Sequence, residues 1–167
     1  IELIIKIARK LPSMDFHIVG GNHNDIMRLK KISKSIENLK IYGFIYPSET
    51  EKFRQKMNVL LAPYQKKVGL SNSDLTTEKW MSPLKIFEYM GSGRAILSSD
   101  IPVLHEVLKN NINCIMLDPS NVNDWINTLE KLESNPDFMS LISKNARKDF
   151  LENYTWTKRA NNIINSI

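Results

Sequence analysis

Short apolar runs alternate along the chain with longer segments in which apolar residues recur three or four positions apart. The short runs are typical of buried strands, and the longer segments are typical of amphipathic helices. The predicted strands are 15–21, 39–44, 58–64, 95–100 and 114–119. The predicted helices are 1–11, 25–36, 48–57, 83–90 and 103–110, with two or three more from residue 121 and breaks at Pro136 and around Tyr154. This alternation predicts an α/β fold, an open parallel sheet with helices on both faces.

The carboxyl ends of the predicted strands are the expected place for a ligand. Open parallel sheets bind ligands at this edge, where the loops leave the strands. Residues 65–81 follow the third predicted strand without clear periodicity. A loop of that length in a compact domain is usually functional or mobile. We therefore expect a binding site at this edge of the sheet.

The stretch MSPLKIFEYMGSG at 81–93 places a cation near the start of a predicted helix. Ser82 is the predicted N-cap and Pro83 the first helical residue. Lys85 in the first turn opposes the helix dipole by about 0.3–1 kcal/mol if no anion is bound. Free N–H groups at a helix start suit a phosphate. Two interpretations stay open: Lys85 faces a bound diphosphate, or its side chain extends into solvent.

Glu88 follows Lys85 by three residues, so the two side chains are neighbours on one helix face. A carboxylate one turn from a phosphate site can accept hydrogen bonds from a ribose diol, as an acid does in dinucleotide-binding folds. The alternative is that Glu88 forms an ion pair with Lys85 within the helix.

The composition excludes several classes of protein. The residues are 42% hydrophobic and 25% charged, which is ordinary for a globular domain. No apolar run approaches the roughly 18 residues of a membrane span. Cys114 is the only cysteine, which excludes an internal disulfide, favours a reducing cytoplasm and is typical of core packing. No group of His, Cys, Asp or Glu has metal-ligand spacing, so we expect neither a metal nor a resident cofactor.

The net charge of +5 is unevenly distributed, with +7 in residues 1–67 and −2 in residues 68–167. A basic half suits nucleic acid, anionic lipid or a phosphate-bearing substrate. Aromatic residues are not interleaved with the basic ones, so nucleic acid is not an expected partner. A non-catalytic module that binds a polyanion or an acidic membrane surface remains one alternative.

The run SPLKIFEYMGSGRAILSSDIPVLHEVL at 82–108, followed by a strand and Asp118–Pro119, resembles the nucleotide-sugar-binding half of family 4 glycosyltransferases. The resemblance extends from the IVGG strand end to residue 132. It implies the GT-B architecture, two facing Rossmann-like domains with the active site between them. Residues 1–167 would then be a single donor-binding domain, a fragment that lacks its first strand and the N-terminal acceptor domain. Because that strand is central in the Rossmann order, a gap in the sheet is expected.

The same resemblance implies a donor site, with the catalytic residues unassigned. Its residues are Gly20, Gly21, Phe44, Ile45, Ser82, Pro83, Leu84, Lys85 and Glu88. Glu88 would hold the ribose, and the backbone around Leu84 and Lys85 would meet the diphosphate. The backbone at 44–45 would flank the base, and the glycines at 20–21 would lie near the phosphates. Trp80 stands where the family commonly has a further glutamate.

The activity implied is that of a retaining glycosyltransferase of the hexosyltransferase type. It would use a nucleotide-diphosphate sugar, preferably a UDP-sugar, without a metal, and the isolated domain is expected to be inactive. The acceptor would be a glycan or a lipid-linked glycan of bacterial surface polysaccharide, such as O-antigen or capsule. The expected location is the cytoplasm, with peripheral association at the inner face of the membrane as a further option. The alternative on the same architecture is a nucleotide-sugar epimerase or hydrolase.

Overall fold

The structure, a computed structural model, describes residues 1–65 and 84–164, apart from the side chains of residues 162 and 163. The strands of the described residues are β1 (Phe16–Val19), β2 (Leu39–Gly43), β3 (Val59–Ala62), β4 (Ala95–Ser99) and β5 (Ile115–Leu117). The helices are α1 (Glu2–Lys10), α2 (His23–Ile32), α3 (Pro47–Arg54), α4 (Leu84–Ser92), α5 (Val122–Ser134), α6 (Pro136–Asp149) and α7 (Trp156–Ile164). A 3₁₀ helix (Pro102–Glu106) follows β4, and a π-helical segment (Phe150–Tyr154) follows α6. Within the described ranges, no helix is long and apolar enough to cross a bilayer.

The strands form two parallel sheets. In one, β1 pairs with β2, and in the other the order is β3-β4-β5. No ladder of backbone hydrogen bonds joins the two sheets within the described part of the chain, which matches the expected gap. One hydrophobic core nevertheless includes residues from both, with Ile18 of β1 and Leu97 of β4 in the same cluster. The predicted α/β fold with helices around parallel strands is therefore confirmed.

Strand β4 shows how the second sheet is covered on both faces. All five of its residues are buried. Ala95 and Leu97 belong to the cluster that contains Trp125 of α5, whereas Ile96 belongs to a second cluster with Met90 of α4. Because successive strand side chains point to opposite faces, helices must cover both sides of β4.

The start of α3 differs from the sequence prediction. A capping box from Ser48 to Glu51 is the pattern that SETE suggests, but α3 begins one residue earlier, at Pro47. Tyr46 occupies the N-cap position and makes no side-chain cap hydrogen bond. Ser48 is therefore not the N-cap residue, and the helix predicted at 48–57 begins one residue earlier. Proline is preorganised for the first helical position, and it moves Ser48 into the first turn.

The predicted helix at 103–110 is also wrong in type and length. Only residues 102–106 are helical, and they form a 3₁₀ helix. The asparagines that follow bond to the backbone instead: Asn113 Oδ1 accepts from the Lys109 amide at 2.7 Å, and Asn110 Oδ1 accepts from the Met116 amide at 2.9 Å. Such local side-chain bonds compete with helix continuation and end it early.

Cys114, just before β5, lies in the hydrophobic core. Its side chain is completely buried, and it packs in the cluster that contains Ile96 and Met90. Burial, with a smaller contribution from Asp100, raises the pKa of the thiol to about 12. The thiol therefore stays protonated at neutral pH, as expected for a packing residue rather than a nucleophile.

Candidate functional site

The ends of β1 and β2 bring together two of the sequence-predicted segments. The Gly20 amide donates to the Gly43 carbonyl at 2.6 Å, which places the glycines at 20–21 beside the start of the Phe44–Ile45 segment. Gly20, Gly21 and Gly43 have φ values of 103°, 99° and 76°. Residues other than glycine rarely adopt these backbone angles. The glycines therefore allow both strands to turn at the edge where a ligand is expected.

A pocket of about 330 Å³ lies next to this edge, between the segment after β2 and helix α3. Phe44 and Ile45 line it, together with Phe53 and Lys52 of α3. Phe44 is 71% exposed, and its ring meets that of Tyr46 edge to face with 5.4 Å between centroids. Glu49 and Lys56 also line this pocket, so aromatic surface stands beside charged groups of both signs, which suits a flat, hydrogen-bonding ligand.

Helix α4 carries the second group of predicted residues. Ser82 and Pro83 lie outside the described residues, so their roles stay predictions. Leu84 is the first residue of α4 and is exposed. The Lys85 Nζ atom lies 5.1 Å from the centre of the Tyr64 ring. Burial of this ammonium group lowers its pKa, and the nearby Glu88 carboxylate partly offsets the decrease.

Tyr64 places the Lys85 ammonium at the carboxyl edge of the second sheet. It follows β3, and its carbonyl accepts a 2.7 Å hydrogen bond from Ser99 Oγ at the end of β4. It also lines a pocket of about 190 Å³ between the start of α1 and the ends of β3 and β5, where Lys6 and Ser120 lie. Tyr64 therefore contacts the Lys85 ammonium and also lines a small, partly polar pocket at the carboxyl edge of the strands, the edge at which a ligand is expected.

Glu88 makes its ion pair with helix α3. Its Oε2 atom lies 3.1 Å from Arg54 Nη1, whereas no ion pair with Lys85 occurs in the described structure. The alternative of an intrahelical Lys85–Glu88 ion pair is therefore wrong. The Glu88 side chain is 56% exposed, so its carboxylate is accessible to a ligand.

Arg54 and Tyr64 were not identified from the sequence as parts of the site. Arg54 stands in a helix with several charged residues, and nothing in the local pattern marks the one that reaches α4. Tyr64 follows an apolar strand, which marks it only as a strand end. Both contacts join residues more than twenty positions apart, so they depend on the tertiary structure.

No group of three or more His, Cys, Asp or Glu side chains suited to hold a metal is present among the described residues. The charged groups that α4 carries are Lys85 and Glu88, with Arg54 of α3 paired to Glu88. Such a set can neutralise an anion through Lys85 and accept hydrogen bonds through Glu88.

The arrangement of parallel strands, flanking helices and loops at the carboxyl edge is the Rossmann-like fold of GT-B glycosyltransferase domains. The sequence comparison agrees with this class. The chain belongs to the glycosyl transferase-like family, whose model matches residues 2–165. An uncharacterized glycosyltransferase of Methanocaldococcus jannaschii is 30% identical over 78 residues, 47% of this chain and 20% of that protein.

Solved structures share the fold at low sequence identity. Sucrose-phosphate synthase from Thermosynechococcus elongatus matches 97% of this chain and 40% of its own, with a TM-score of 0.77 and 16% identity. HepE of Anabaena, in complex with UDP and glucose, matches 99% of this chain and 43% of its own, with a TM-score of 0.77 and 13% identity. The chain therefore spans less than half the length of each of these proteins.

Proposed function

We propose that this chain is the donor-binding domain of a retaining family 4 glycosyltransferase. It would hold a UDP-sugar at the carboxyl edge of its strands, without a metal ion. A second domain, as the GT-B architecture implies, would present a glycan or lipid-linked acceptor. The reaction would serve the assembly of a bacterial surface polysaccharide, and residues 1–167 alone would bind the donor without transferring the sugar.

The observation that carries this proposal is that α4 presents a cation and a carboxylate one turn apart. Lys85 supplies a positive charge in the first turn, and Glu88 supplies an exposed carboxylate one turn later. A diphosphate needs the first group and a ribose diol needs the second. The Tyr64 ring holds the Lys85 ammonium at this edge of the sheet, and partial desolvation there lowers its pKa.

The preference for UDP rests on a protein with the same fold. HepE has this fold and is described in complex with UDP and glucose. At 13% identity that likeness extends to the fold, so the choice of base is part of the proposal. The pocket lined by Phe44 and Ile45 offers aromatic and apolar surface for such a base.

Calorimetric titration of the chain with UDP, GDP, ADP and uridine tests the proposal. We expect one nucleoside diphosphate, UDP, to bind and uridine to bind much more weakly, because the diphosphate contributes the contacts with Lys85. A Glu133→Ala variant, which removes an exposed acid on α5, is the control and should bind as the unmodified chain does. Failure of all four ligands to bind at millimolar concentration would contradict donor binding by this chain.

The epimerase or hydrolase alternative is separated by a second measurement. UDP-glucose is incubated with the chain without an acceptor, and free UDP and glucose are quantified. A transferase domain should release almost none, whereas sustained release of both products would favour the alternative. Binding to anionic vesicles in the absence of nucleotide, lost steeply with salt, would instead favour the membrane-binding module.

A further inference from the structure

Arg54 joins helix α3 to Glu88 of α4 by two routes, one through the carboxylate and one through Ser92. Its Nη1 donates to Glu88 Oε2 at 3.1 Å, and its Nε donates to Ser92 Oγ at 3.1 Å. The Ser92 hydroxyl in turn donates to the Glu88 carbonyl at 2.7 Å. A closed set of hydrogen bonds therefore holds the side chain and the main chain of Glu88 against one guanidinium.

The two partners differ in exposure. The side chain of Arg54 is 17% exposed and that of Glu88 is 56% exposed, and Ser92 is buried. A partly buried guanidinium with two donors in use has little rotational freedom. The more exposed carboxylate would otherwise sample several rotamers in solvent. Arg54 thus fixes the position of a side chain that would be mobile without it.

The bond from Arg54 also leaves part of the carboxylate available. Arg54 binds Oε2, and Glu88 Oε1 makes no hydrogen bond within the described structure. An ionised carboxylate has acceptor positions on both oxygens. Oε1 can therefore accept hydrogen bonds from a ligand while Oε2 stays paired with Arg54.

The charge of Arg54 has a second consequence for an anionic ligand. Glu88 lies one turn from the helix start that is proposed to meet a diphosphate, and two negative groups at that separation repel each other. The guanidinium at 3.1 Å offsets the charge of Glu88. Glu88 can then accept hydrogen bonds from hydroxyl groups with less repulsion of the diphosphate.

We propose that Arg54 is a positioning residue that holds Glu88 ready to accept hydrogen bonds from the hydroxyl groups of a ligand's ribose, before the ligand binds. This inference rests on the proposed function, since the ribose is that of the nucleotide donor. Arg54 acts through Glu88 and does not itself touch the ligand. Its effect should therefore depend on the presence of both Glu88 and the ribose hydroxyls.

The test compares UDP with 2′,3′-dideoxy-UDP, which lacks both ribose hydroxyls, by calorimetry. We expect Arg54→Ala to lower the affinity for UDP by about threefold to tenfold. This is the scale of the cost of ordering one side chain on binding. The affinity for the dideoxy compound should change much less. Arg54→Lys should restore part of the UDP affinity, because an ammonium keeps the charge but cannot bind Glu88 and Ser92 as a planar fork.

Arg94→Ala is the matched control. Arg94 Nη2 donates to the Gln55 carbonyl just after α3, so it also joins the end of α3 to the end of α4 without touching Glu88. We expect this variant to lower stability while it preserves the ratio of UDP to dideoxy-UDP affinity. Circular dichroism during thermal unfolding confirms that each variant is folded at the titration temperature.

The double variant Arg54→Ala/Glu88→Ala completes a double-mutant cycle with the two single variants. If Arg54 acts through Glu88, removing it adds almost no further loss once Glu88 is absent. Equal weakening of both nucleotides by Arg54→Ala, or a full additional loss in the Glu88→Ala background, would overturn the positioning role. Loss with Glu88→Ala but not with Arg54→Ala overturns only this inference, whereas absence of any UDP binding overturns the proposed function as well.

Discussion

The ammonium group of Lys85 lies over the ring of Tyr64, 5.1 Å from its centre. This contact joins the first turn of α4 to the segment that follows β3. A cation over an aromatic face gains roughly 0.5–1 kcal/mol at an exposed site, which offsets part of the unfavourable interaction with the helix dipole. Lys85 is therefore held at the carboxyl edge before any anion binds.

Replacement of Lys85 by alanine should weaken the binding of UDP more than the binding of uridine. The charge of Lys85 acts on the phosphates and not on the nucleoside, so we expect a loss of about 1 kcal/mol or more for UDP, the scale of a charge-assisted hydrogen bond. Calorimetry with both ligands measures the difference. Lys144→Ala, which removes an exposed lysine of α6, is the control. Equal losses for UDP and uridine would show that Lys85 does not meet the phosphates.

The affinity for UDP should depend on pH through Lys85. Burial holds the pKa of Lys85 below its ordinary value of 10.5 in the unliganded chain. Binding of an anion favours the charged form, so affinity is constant below the pKa of the free chain and falls as pH rises through it. Titration between neutral and alkaline pH measures this decrease, and the sample takes up protons on binding near that pKa.

A Lys85→Arg variant supplies the reference for this pH profile. Arginine keeps its charge throughout the range, so any decrease that persists in the variant belongs to the titration of the uracil base or to other groups. The difference between the two profiles is the contribution of Lys85. Identical profiles would mean that its protonation is not linked to binding.

Replacement of Glu88 by alanine should weaken the binding free energy for UDP by about 1–3 kcal/mol. This is the scale of losing hydrogen bonds to a charged group. Glu88→Gln should lose less, because the amide keeps one acceptor oxygen. Calorimetry with UDP measures both variants, with Glu133→Ala as the control for a change in net charge. An unchanged affinity in Glu88→Ala would remove this residue from the site.

The sequence predicts the order of strands and helices because each strand of this fold is a short apolar run and each helix carries a regular apolar face. It also indicates Glu88 and Lys85, because both stand on one helix at a predicted ligand-binding edge. The pattern also marks Gly20, Gly21 and Phe44 as strand ends, whereas their proposed contacts with a donor, and those of Ile45, come from the family resemblance.

Tertiary contacts decide the features that the sequence leaves open. The partner of Glu88 is Arg54, 34 positions away, and an intrahelical pair with Lys85 is equally compatible with the spacing. The short 3₁₀ helix after β4 depends on Asn110 and Asn113, whose side chains bond to backbone amides. Sequence periodicity describes which residues are apolar, but not which polar group satisfies which backbone atom.

Gly43 is required at the end of β2 for two physical reasons, and replacement by alanine should be destabilising. Its φ of 76° is one that other residues adopt at a cost of roughly 1–2 kcal/mol. A Cβ atom there would also lie 2.8 Å from Cδ1 of Ile26 on α2. We expect Gly43→Ala to lower the free energy of unfolding by about 1–3 kcal/mol, measured by urea denaturation.

Two further variants separate the backbone strain from the side-chain overlap. Gly20 has a φ of 103°, but no atom lies within 4 Å of the position that a Cβ would take there, so Gly20→Ala should cost only the strain. Ile26→Val removes the Cδ1 atom, so the additional cost of Gly43→Ala should shrink in that background. If it does not shrink, the overlap is relieved by rotation of Ile26, and the left-handed backbone at residue 43 alone accounts for the glycine.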